Sequence, residues 1–122
     1  MCGIAGYINT KPKNGNDLLA KMADSMRYTA EDSIDKWHDS YFAISRVHHG
    51  VTNPEPQPIF NEDKSLFIVM EGEVFDYEER KSKLIRKGHI FKYENNDAEY
   101  CLHLYEDMGQ SAVKELNGSL QR

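Results

Sequence analysis

The sequence predicts an α+β domain, and three observations lead there. Two β-rich runs without helical period, Tyr41 to Val47 and Leu66 to Met70, lie in the first part of the chain. Helical patterns with stop signals follow them: Asp76 to Lys87 ends at Gly88, and Asp97 to Met108 ends at Gly109. At 122 residues the chain has room for one domain with a modest core.

Cys2-Gly3-Ile4-Ala5-Gly6-Tyr7-Ile8 reads as a first strand, with glycines keeping bulk away from Cys2. Turn residues from Asn9 to Asn16 follow. Asn16 or Asp17 then caps a short amphipathic helix that places Leu18, Leu19, Met22 and Met26 on one face. The runs 41–47 and 66–70 are strands separated by the Pro-bearing loop Thr52 to Pro58, and the second, apolar throughout, is expected to be central. After the helix of 76–87, His89 to Tyr93 is expected as a short strand. The helix of 97–108 offers Cys101, Leu104, Tyr105 and Met108 for burial, and a short helix over 111–116 precedes Asn117-Gly118.

Composition narrows the function. A net charge of −5 argues against a nucleic-acid surface and against a polybasic membrane patch. There is no long apolar run and no basic leader, so a cytoplasmic protein is expected. Cys2 and Cys101 show no metal-type pairing, which disfavours a disulfide or zinc knuckle, and Cys101 reads as a core residue.

Chemistry concentrates at the start of the chain. Removal of Met1 would leave Cys2 carrying both a thiol and a free α-amine. An amine with a pKa of about 7.7 to 8.0 can accept the proton of a thiol near about 8.5, so this residue can activate itself. Arg46, near a strand end, can receive a carboxylate through its fork, or serve only in a surface ion pair. In Glu71-Gly72-Glu73 the Gly72 N–H can stabilise an oxyanion, or simply form a turn. Asp97 can cap its helix or hold an ammonium group. Adjacent His48 and His49 point to opposite faces of a strand, so no metal site is expected.

These residues together resemble the N-terminal glutaminase domain of class II glutamine amidotransferases, asparagine synthetase type. The matching segments are Met1-Cys2-Gly3-Ile4-Ala5-Gly6, Arg46 with Gln57-Pro58 eleven residues on, Glu71-Gly72-Glu73-Val74-Phe75-Asp76-Tyr77, Asn96-Asp97-Ala98-Glu99 and Leu116-Asn117-Gly118. The resemblance implies an N-terminal-nucleophile hydrolase fold, an α/β/β/α sandwich of antiparallel sheets. It implies that Cys2 attacks the side-chain amide of L-glutamine and that a thioester forms, releases ammonia and is hydrolysed. Gly72 would serve the oxyanion, Arg46 the substrate carboxylate and Asp97 its ammonium. Val47, His48, His49, Gly50, Glu71 and Glu73 would line the pocket. No cofactor is expected in this domain, since ATP and Mg belong to a separate synthetase domain, which would be the partner.

Three departures from the family pattern stand out. Position 71 is glutamate where the family carries asparagine, and an ionised carboxylate cannot donate to an oxyanion. The family's His-Arg-Gly-Pro-Asp loop is replaced around Tyr28-Thr29-Ala30-Glu31-Asp32-Ser33, which is expected to fold differently or to be mobile. The glutaminase domain, residues 1–122, is expected to be C-terminally incomplete, leaving a sheet edge open to self-association or to a partner. Two alternatives to an active glutaminase follow: a degenerate glutamine-binding module that docks on a synthetase, and a structural remnant.

Overall fold

In the computed structural model, which describes residues 3–8 and 15–121, the N-terminal half is built on a three-stranded antiparallel sheet. Its strands are β1 (Gly3–Ile8), β2 (Ser33–His38) and β3 (Phe42–His48), in the order β1-β3-β2. The register pairs Gly3 with Val47, Ile4 with Arg46 and Asp35 with Arg46. Gly6 is required by close approach, because a Cβ there would lie 2.4 Å from the Ala43 carbonyl oxygen. Helix α1 (Gly15–Met26) covers this sheet and buries Leu19 and Ala23.

Two short antiparallel pairs complete the β structure among the described residues: β4 (Ile59–Phe60) with β5 (Phe67–Ile68), and β6 (Glu71–Val74) with β7 (Gly118–Gln121). An aromatic cluster joins the first of them to the large sheet. Trp37 stands 5.3 Å from Phe42, 5.8 Å from Phe60 and 4.9 Å from Phe67, ring centroid to ring centroid. Such tilted and edge-to-face pairs contribute about 0.5–1.5 kcal/mol each beyond burial.

Helix α2 (Glu78–Arg86) and helix α3 (Asp97–Met108) follow, and α3 leads into a 3₁₀ turn over Gly109–Glu115. Every residue of α3 from Ala98 to Leu104 is buried. The main apolar core gathers around it: Ile59, Met70, Val74, Leu84, Tyr100, Leu102 and Ala112. An apolar cavity of about 320 Å³ opens between β5 and α3, lined in part by Cys101.

The α+β class and the antiparallel sheets agree with the sequence reading, and several local expectations are corrected. Helix α1 begins at Gly15, so Asn16 and Asp17 lie inside it, and Leu18 is exposed, with Leu19 and Ala23 taking the buried face. The 66–70 run is not a central strand. Only Phe67 and Ile68 pair, with β4 alone, and the run's apolar side chains pack on α3 and in the aromatic cluster. No strand forms at 89–93: the Lys92 and Tyr93 N–H groups donate to the buried Glu99 carboxylate, each at 3.0 Å, so a side chain takes the place of a β-ladder. Tyr105 is exposed on α3, helix α2 starts at Glu78, and the last short helix is 3₁₀ and starts at Gly109. Strand β2 was not anticipated, since Ser33–His38 mixes charges with its apolar residues.

Candidate functional site

The Gly50–Pro58 loop connects three of the residues singled out in the sequence. Asn53, buried and at φ +50°, uses three of its polar groups for three different parts of the fold. Its backbone oxygen accepts from Arg46 Nη1 at 3.1 Å. Its Nδ2 donates to the Gly72 carbonyl at 3.0 Å, and its Oδ1 accepts from the Asp97 N–H at 2.8 Å. Arg46, Gly72 and Asp97, far apart in sequence, thus meet on one residue, Arg46 at its backbone oxygen and the other two at its side-chain amide. The signal for Asn53 was the Asn-Pro dipeptide at a turn, a residue type that tolerates the left-handed region.

Arg46 is buried on β3. Its Nε and Nη2 donate to one oxygen of Asp35, Oδ2, at 3.0 and 2.7 Å, and Nη2 also donates to the Glu55 carbonyl at 3.1 Å. The same Asp35 oxygen accepts from the Gln57 N–H at 3.1 Å. Asp35 escaped sequence reasoning because its strand did. The Arg46 fork is therefore occupied by a carboxylate of the protein itself.

Val47 is fully buried and Gly50 lies at φ +76°. The Gly50 N–H donates to His48 Nδ1 at 3.1 Å, which places the His48 proton on Nε2, 3.5 Å from Asp35 Oδ2. Burial, with the neighbouring Arg46 charge, pushes the His48 pKa down, so this imidazole is held neutral. His49 leaves the sheet on the other side and meets Asp32, Nδ1 to Oδ1 at 2.6 Å. Asp32 closes the 28–33 turn by accepting from the Tyr28 and Thr29 N–H groups at 2.8 and 3.1 Å. Those two backbone donors lead the causes that bring its pKa down to about 2.

On β6, Gly72 sits at φ +131°, a conformation that side-chain-bearing residues rarely adopt. Glu73 Oε1 accepts from the Thr52 hydroxyl at 2.8 Å, tying β6 to the same loop. Glu71 Oε2 is buried and has no hydrogen-bond partner among the described residues. At the start of α3, Asn96 caps the helix by accepting from the Glu99 N–H at 3.0 Å. Asp97 is consequently free of the capping role: its Oδ1 accepts from the Tyr77 hydroxyl at 2.7 Å and its Oδ2 from the Val74 N–H at 3.1 Å. Burial and the Asp97 carboxylate both raise the Tyr77 pKa. Cys2 lies outside the described residues; Gly3, its neighbour in the chain, pairs with Val47.

A family profile described as "Glutamine amidotransferase domain" matches residues 1–120. The chain belongs to this family of glutamine amidotransferase domains. Among similar proteins, it is 34% identical over 124 residues to asparagine synthetase [glutamine-hydrolyzing] 2 of Bacillus subtilis, covering 97% of this chain and 16% of that protein. It is 38% identical over 128 residues to asparagine synthetase [glutamine-hydrolyzing] 1 of Arabidopsis thaliana, covering 97% and 20%. For asparagine synthetase [glutamine-hydrolyzing] 2 of Oryza sativa the identity is 30% over 122 residues, again covering 97% and 20%. The chain is thus a class II glutamine amidotransferase domain of asparagine synthetase type, and it spans about a fifth or less of the length of these curated relatives. The Asn53 network belongs to this amidotransferase domain and links three of its four principal candidate residues.

Proposed function

We propose that this chain hydrolyses L-glutamine to glutamate and ammonia, and that the ammonia passes to an asparagine-synthetase-like domain or partner. The relatives carry glutamine hydrolysis in their names, and the Asn53-centred assembly of Arg46, Gly72 and Asp97 is the observation that carries the reading here.

In this reading the α-amine of Cys2 takes the thiol proton and the thiolate attacks the side-chain amide carbon of glutamine. The Gly72 N–H donates to the oxyanion, ammonia leaves with the returned proton, and water hydrolyses the thioester to glutamate. Asp97 holds the substrate ammonium and Arg46 its carboxylate. Val47, His48, His49, Gly50, Glu71 and Glu73 form the surrounding pocket, and the sheets belong to a sandwich of the N-terminal-nucleophile type. The domain works without a cofactor, with ATP and Mg confined to the synthetase part. The proposed setting is cytoplasmic; among the described residues no helix is long and apolar enough to cross a membrane. An open strand edge offers a route to self-association. A glutaminase assay on methionine-processed protein decides the matter: no glutamate release above a Cys2→Ala control removes the proposal.

Two observations favour a second reading, a degenerate module that binds glutamine or a synthetase and turns over poorly. The Arg46 fork is occupied by Asp35, and Glu71, where the family pattern has asparagine, has a buried carboxylate oxygen with no hydrogen-bond partner among the described residues. Glutamine binding by calorimetry without glutamate production would select it.

A further inference from the structure

Away from the Asn53 network, four ligand-type side chains from three segments converge. Glu62 comes from the turn after β4, His89 from the residues after α2, and His103 and Glu106 from one turn of α3. One ligand atom of each lies within 4.8 Å of all the others. His89 Nδ1 and His103 Nδ1 are 3.1 Å apart, and His103 Nδ1 is 3.1 Å from Glu106 Oε1 and 3.7 Å from Glu62 Oε1. His89 Nδ1 is 3.9 Å from Glu106 Oε1.

These separations bracket the edge of a zinc coordination tetrahedron. With metal–ligand bonds of about 2.0–2.1 Å, ligand atoms stand about 3.3–3.4 Å apart. The outer contacts suit ligation as well. Ile90 N–H donates to Glu62 Oε1 at 3.0 Å, and Asn61 Nδ2 donates to Glu106 Oε2 at 3.3 Å, so each carboxylate is oriented by a second group. His103 is buried and its ring lies against Phe91, centroids 4.4 Å apart. Without a cation, two carboxylates converge on two imidazole nitrogens that can share only one hydrogen bond between them. A divalent ion satisfies all four.

We propose that Glu62, His89, His103 and Glu106 bind one zinc-class divalent cation in a structural site that fastens the β4–β5 turn and the segment after α2 to α3. Four protein ligands leave no open position, which suits stabilisation and not catalysis. The site stands independently of the glutaminase reading.

The test uses the full chain carrying Cys2→Ser, which removes the competing N-terminal aminothiol, after chelator treatment. Zinc titrated by calorimetry should bind one equivalent and raise the thermal midpoint, and cobalt should give the visible absorption of a four-coordinate nitrogen and oxygen site. His89→Ala and Glu62→Gln, on partly exposed side chains in different segments, should each weaken zinc binding about tenfold or more and remove the thermal shift. His103→Ala is less useful, because burial of that ring makes folding itself vulnerable. Absence of stoichiometric zinc binding, or binding that survives both substitutions, overturns the proposal.

Discussion

Arg46 and Asp35 oppose each other across the β2–β3 register, and two guanidinium nitrogens, Nε and Nη2, fall on the single carboxylate oxygen Oδ2 at 3.0 and 2.7 Å. Removing Asp35 leaves a buried guanidinium without its counter-charge and the Gln57 N–H without its acceptor. Asp35→Ala should therefore cost about 3–5 kcal/mol in urea unfolding at neutral pH. A loss below about 1 kcal/mol would mean that solvent or another group readily takes the place of this carboxylate.

Gly72→Ala should both strain the backbone and lower glutaminase turnover. At φ +131° a Cβ costs at least about 1–2 kcal/mol, and relief of that strain would rotate the peptide whose carbonyl Asn53 holds. Unfolding midpoints and steady-state rates measured together check this; unchanged values on both counts contradict it.

Glu71→Asn should raise kcat by about 10²-fold if the oxyanion position is the principal defect, because the change replaces an acceptor with a donor. It also removes a buried carboxylate oxygen that has no hydrogen-bond partner among the described residues. Unchanged kcat would point to the degenerate reading.

Acid should destabilise the fold in two stages. His48 is held neutral, with its pKa below the ordinary value of 6.5. As pH falls below 6.5 the unfolded chain takes up that proton first, and stability declines until the folded value is passed. Asp32 has the opposite charge type and a pKa lowered to about 2, so its contribution, present above the ordinary value of 3.8, is lost as pH falls from there towards 2. Chemical denaturation between pH 7 and pH 2 should show both stages, and His48→Asn should suppress the first.

Alkylation should separate the two cysteines. Burial pushes the Cys101 thiol up to about 12, so it carries almost no thiolate at pH 8. Peptide mapping after brief iodoacetamide treatment of the folded protein should find label at Cys2 and none at Cys101 until denaturant is added. Early labelling of Cys101 would show that α3 opens locally.

The parts of the fold legible in the sequence were those with local causes. Helix α3 could be read from its helix formers and Gly109, and its bounds match the expected ones at both ends. β3 could be read from its β formers, within one residue at each end. β2 was hidden because Asp35 and Lys36 break its apolar pattern, and the reason for Asp35 lies eleven residues away at Arg46. His89 to Tyr93 misled in the opposite direction: a pattern suited to pairing is held instead by Glu99. In the site, Arg46, Gly72 and Asp97 were legible as residue types, whereas Asn53, which joins them, was not, because its role is visible only when three distant segments are in place. The cluster of Glu62, His89, His103 and Glu106 was invisible for the same reason, having only the His103–Glu106 spacing in its favour.

The left-handed Asn53 gives the domain a pivot with three arms. A shift of the loop at this point moves the Arg46 guanidinium, the Gly72 carbonyl on β6 and the first residue of α3 together. Substitutions at Arg46, Gly72 and Asp97 should accordingly fail to add, each one already including part of the damage done by the others. Selection acting on such a site adjusts a single mechanical unit, so tolerance at any one of the three positions has to be sought in variants that also change residue 53.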